Sequence, residues 1–123
     1  RIENVYSFDG DKPMPVVVGI IKRPEAGIVS LNEKQGMIAY WEPTHLEHGT
    51  TGIGVLLTSP VSTMLVSEKQ ILAKTIVKSN EPIVYYTGAA WDKAGKIANS
   101  KQWNSYLENF QKQTQTPLTI NLK

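Results

Sequence analysis

The chain has 123 residues, 41% of them hydrophobic, a formal net charge of +2 and no cysteine. This length suits a single domain over residues 1–123 and the composition suits a packed core, which excludes a disordered protein and a second independent domain. Without cysteine there is no disulfide, thiolate-zinc or c-type haem chemistry, and a near-neutral balance provides no field that would draw nucleic acid.

Turn residues punctuate the chain at Asp9-Gly10-Asp11, Arg23 to Gly27, Glu33 to Gly36, His48-Gly49, Ser59-Pro60, Ser79 to Pro82 and Asp92 to Gly95. Between them, β-branched and aromatic residues predict five main strands at Val16–Ile21, Met37–Trp41, Ile53–Leu57, Ile71–Val77 and Ile83–Tyr86. The unbroken apolar runs 16–21 and 53–57 predict burial on both faces, as in the inner layer of stacked sheets, whereas Lys74 and Lys78 mark one face of the fourth strand as wet. No apolar run approaches the ~20 residues that cross a bilayer, so no membrane span is expected. A start at Arg1, with neither Met nor an apolar leader, reads as a processed form, an excised domain or a fragment.

One segment reads as a helix. After Asn99 or Ser100 as cap, Trp103, Tyr106, Leu107 and Phe110 recur at i, i+3, i+4 and i+7, while Lys101, Asn104, Glu108 and Lys112 face away. Gln102, three residues after Asn99, suits a variant capping box. The stripe predicts burial of Trp103, Leu107 and Phe110 against a sheet, followed by a short strand at Leu118–Leu122. The predicted fold is mostly β, an antiparallel sandwich with one C-terminal helix.

Two segments concentrate chemistry. Trp41-Glu42-Pro43-Thr44-His45-Leu46-Glu47-His48-Gly49 holds both histidines beside carboxylates at a strand-to-loop junction. Imidazole titrates near neutrality, so His48 is the candidate general acid or base, with Glu42 to orient it or act as a second carboxyl. Metal ligation by His45 and His48 with Glu42 or Glu47 is the minor alternative, because that histidine spacing works on a helix and Pro43 and Gly49 indicate a loop. No metal or cofactor is therefore assigned. The second segment, Tyr85 to Lys93, carries Tyr86, Trp91, Asp92 and Lys93. Aromatic rings cover the apolar face of a pyranose, and the adjacent charges take its hydroxyls or carboxylate. With Trp41, these are the candidate substrate-binding residues. No phosphate-binding loop, dinucleotide fingerprint or nucleophile elbow is present, and the aromatics do not alternate with basic residues as a single-strand nucleic-acid platform would.

Val18-Gly19-Ile20-Ile21-Lys22-Arg23-Pro24, Tyr40-Trp41-Glu42-Pro43, His48-Gly49-Thr50-Thr51-Gly52-Ile53-Gly54 and Tyr85 to Gly95, taken as an ordered series, resemble the C-terminal part of the bacterial family known as domain of unknown function 4861. The resemblance covers nearly the whole chain and implies the C-terminal piece of a longer protein, with the missing N-terminal part as a partner. It also implies a galactose-mutarotase-like β-supersandwich and a periplasmic, envelope or secreted location. The family's association with unsaturated glycuronyl hydrolases implies polysaccharide degradation, by lyase or hydrolase chemistry on uronic-acid-containing oligosaccharides. A non-catalytic carbohydrate-binding or structural module is the alternative. The enzyme requires His48, Glu42 and Trp91 on one concave surface, whereas a binding module needs only Trp91 or Tyr86 exposed.

Overall fold

The computed structural model describes residues 1–115. In these residues the elements run β1 (Ile2–Val5), β2 (Met14–Ile21), β3 (Ile28–Asn32), β4 (Met37–Trp41), β5 (Thr51–Leu57), β6 (Val61–Val66), β7 (Gln70–Val77), β8 (Pro82–Trp91) and α1 (Ser100–Gln115). The strands form two antiparallel sheets, one ordered β1-β8-β5-β4-β3 and the other β2-β7-β6. They pack as a sandwich, and α1 covers the far side of the larger sheet. The predicted class is therefore observed. The short strand expected at Leu118–Leu122 lies outside the described residues.

The larger sheet is the middle layer, and side-chain alternation along its central strands divides the core in two. Ile38, Tyr40, Val55 and Leu57 face Ile20, Ile71 and Ala73 of the smaller sheet. Met37, Ala39, Trp41 and Leu56 face Trp103 and Leu107 of α1. The predicted two-sided burial thus holds for 53–57 but not for 16–21. In β2, side chains alternate between the core and solvent, with Val17 58% and Ile21 81% exposed, because the smaller sheet is an outer layer.

Helix α1 lies close on the sheet because two residues of β5 have no side chain. A Cβ on Gly52 would come within 2.8 Å of the Trp41 ring, and one on Gly54 within 2.8 Å of Leu107. The helix starts as the cap residues suggest: Gln102 N–H donates to Asn99 Oδ1 (2.9 Å), while Gln102 Oε1 accepts from Ala98 N–H (2.8 Å). The buried stripe is Trp103, Leu107 and Gln111, so the expected burial of Phe110 is corrected: Phe110 is half-buried on the flank. Gln111 takes the core position because its amide donates to the carbonyls of Leu57 (2.9 Å) and Gln35.

Three strands escape the apolar pattern. β1, β3 and β6 are four to six residues long and mix polar with apolar side chains, as suits sheet edges. β8 also runs past the predicted Tyr86 to Trp91, because Thr87 to Ala90 continue the pairing with β5. That extension matters for the site. The register sets Trp41 opposite Gly52 and Thr51 opposite Trp91, so the ends of β4 and β8 meet at one end of the larger sheet.

Candidate functional site

At that end, the loops following β2 and β4 and the last residue of β8 enclose a cleft of about 540 Å³ lined by Arg23, Glu42, His45, His48, Thr51 and Trp91, among others. Glu42 follows β4 directly, still tied to β5 by its N–H to the Thr51 carbonyl (2.9 Å). It continues the alternation of Ile38 and Tyr40, so it leaves the sheet on the side of the smaller sheet, where the cleft opens. Its side chain is 13% exposed and pairs with Arg23, Nε to Oε1 at 3.4 Å.

Arg23 was not among the predicted site residues. Its backbone N–H donates to the hydroxyl of the fully buried Tyr40 (3.1 Å), which anchors the turn after β2 in the core. The side chain itself is 65% exposed. The signal for it in the sequence was Lys22-Arg23-Pro24, which reads as a turn when taken alone.

The histidine loop is a closed five-residue turn. His45 and Gly49 exchange backbone hydrogen bonds (2.8 and 2.9 Å), with Gly49 at φ +81°, where a side chain would be strained. His45 Nδ1 accepts from the N–H groups of Glu47 (3.1 Å) and His48 (3.2 Å), so its own proton resides on Nε2. That arrangement uses His45 to build the turn and leaves it no lone pair for a metal. Among the described residues, no group of three or more His, Cys, Asp or Glu is placed to hold a metal ion. His48 stacks on His45, ring centroids 4.6 Å apart, and keeps 76% of its side chain exposed.

The end of β8 clamps this loop. Trp91 Nε1 donates to the His48 carbonyl (2.6 Å), Asp92 Oδ1 accepts from Thr50 N–H (3.0 Å), and Lys93 Nζ donates to the Glu47 carbonyl (2.7 Å). Trp91 keeps 49% of its surface exposed and lines the cleft.

The predicted residues therefore separate. Glu42, His48 and Trp91 converge on one concave surface. Trp41 is 8% exposed and packs in the core under α1, which corrects its assignment to substrate. Tyr86 lies on the opposite face of β8 from Trp91, packed edge-on against Phe110 at 5.3 Å, and does not line the cleft. Asp92 and Lys93 are engaged in holding the histidine loop, and neither lines the cleft.

Residues 2–120 match the family model described as domain of unknown function (DUF4861). The chain belongs to the DUF4861 family. It is also similar to "Uncharacterized protein P7" of Formosa agariphila, with 26% identity over 114 residues, which covers 86% of this chain. The matched region spans 28% of that relative's length. No solved structure matches this DUF4861 chain significantly.

Proposed function

We propose that the cleft is the substrate site of a polysaccharide-degrading protein acting on uronic-acid-containing oligosaccharides. The observation that carries this reading is the convergence of Glu42, His48 and Trp91 in a single cleft with Arg23. Trp91 presents an exposed ring with its edge fixed by the loop, suited to the C–H face of a pyranose. Arg23 uses Nε toward Glu42, leaving its terminal N–H groups to fork onto a uronate carboxylate. His48 is the general base or acid at the cleft rim, and Glu42 assists by holding Arg23 in place.

Of the two uronate chemistries, β-elimination suits this set better than hydrolysis, because the cleft is lined by both an imidazole and a guanidinium. His48 would take the proton from the carbon next to the carboxylate. Arg23 would stabilise the charge that develops on the carboxylate oxygens. The neighbouring C–O bond would break as the C=C bond forms, and the departing oxygen would take its proton from the imidazolium of His48 or from water. The proposed substrate is an oligosaccharide, and the proposed setting is a larger β-sandwich protein of the periplasm, envelope or exterior.

A non-catalytic module is the second reading, favoured by the high exposure of His48. The two separate on product: uronic-acid oligosaccharides incubated with the chain should gain the ultraviolet absorbance of an unsaturated uronate. His48→Gln should lower turnover about 10²- to 10⁴-fold while binding changes little. Binding without turnover would favour the module, and equal turnover by His48→Gln would refute the assignment of His48.

A further inference from the structure

Tyr86 belongs to a different feature, on the helix side of β8. Gly54 of β5 pairs with Gly88 of β8 across the sheet, so both face α1. Over Gly54 the helix is in contact, whereas a Cβ built on Gly88 meets nothing within 4 Å. Helix α1 therefore covers β5 and stops short of β8, leaving a slot of about 160 Å³ floored by this glycine pair.

The walls are aromatic and fixed by one another. Tyr86 from β8 meets Phe110 edge-on at 5.3 Å, and Phe110 lies 6.4 Å from Tyr106. Tyr106 stacks on the buried Trp103 at 5.7 Å and 8°, yet is 50% exposed. Arg1 is the charged residue lining the slot, and its guanidinium is bonded to Glu3 at 2.9 Å.

We propose that this slot is a second binding site, for one neutral pyranose ring, distinct from the Arg23–Trp91 cleft. Preset aromatic faces cover the C–H side of such a ring, and the hydroxyls of Tyr86 and Tyr106 give it hydrogen-bonding partners. The volume is well below the roughly 300 Å³ at which ordinary ligand clefts begin, so a single ring enters and a chain does not. Arg1 is already paired with Glu3, and every other residue that lines the slot is uncharged, so the contacts it offers a ring are aromatic and hydroxyl groups. This inference stands whether or not the cleft is catalytic.

The test titrates the chain with neutral methyl pyranosides while following the Gly88 amide and Tyr106 ring resonances and the Trp103 fluorescence. Saturable shifts confined to these groups are expected, with weaker shifts from the corresponding uronate. Gly88→Val should abolish them by placing two methyl groups in the slot from a Cβ that meets no atom within 4 Å, while leaving uronate binding at the cleft intact. Absence of saturable shifts, or shifts that survive in a folded Gly88→Val, would overturn the site. Saturation by phenol in preference to every pyranoside would overturn the assignment of its ligand.

Discussion

Arg23 and Asp92 exchange the roles that their positions in the sequence suggest. Asp92 looks like a sugar-binding carboxylate beside Trp91, yet its Oδ1 satisfies the N–H of Thr50, a residue only 3% exposed. Asp92→Ala leaves that buried donor without its acceptor and should cost about 1–3 kcal/mol in urea unfolding, whereas Asp92→Asn, which retains an acceptor oxygen, should cost less. Arg23 looks like a turn residue, yet it brings an exposed guanidinium into the cleft. Arg23→Ala should weaken binding of acidic oligosaccharides by about 2 kcal/mol, roughly thirtyfold in Kd, and leave neutral ones unchanged in calorimetry. Part of this division was legible in the sequence. Neighbours in a strand face opposite ways, so Trp41 could not share a face with Glu42, whereas the separation of Tyr86 from Trp91 follows only once β8 is seen to run past Tyr86. The Arg23–Glu42 pair was not legible, because it joins turns whose proximity depends on how the two sheets stack.

At the scale of elements, the docking of α1 on β4 and β5 is the most testable feature. Trp103 is 1% exposed, lies against Gly52 and Gly54, and donates from Nε1 to the Ile53 carbonyl (3.2 Å). Trp103→Ala should destabilise the chain by about 3–5 kcal/mol in chemical denaturation. The glycine pair gives a contrast: Gly54→Ala forces Leu107 to shift and should cost about 1–3 kcal/mol, whereas Gly88→Ala meets open space and should be neutral or slightly stabilising. The helix could be read in advance because its cap and apolar period agree. Its third buried position could not, since Gln111 enters the core only where the carbonyls of Leu57 and Gln35 await its amide. The edge strands β1, β3 and β6 were hidden for a related reason: wet on one side and short, they lack the apolar runs that marked β4 and β5.

For the whole molecule, the three layers place two different surfaces at opposite faces of β8. The cleft lies toward the smaller sheet, with Arg23, Glu42, His48 and Trp91, and the slot lies toward α1. Arg23 follows β2 of the smaller sheet and is anchored by the Tyr40 hydroxyl of the larger one, so the cleft depends on the packing of both sheets and not on one loop. The chain spans 28% of the length of the relative it matches. The most direct measurement is the structure of the chain bound to a uronic-acid oligosaccharide, by crystallography or by intermolecular NMR contacts. A pyranose ring lying over Trp91 with its carboxylate on Arg23 and its linkage facing His48 is the predicted result; a sugar bound away from Arg23 and Trp91, or no bound sugar at saturating concentration, would contradict the account.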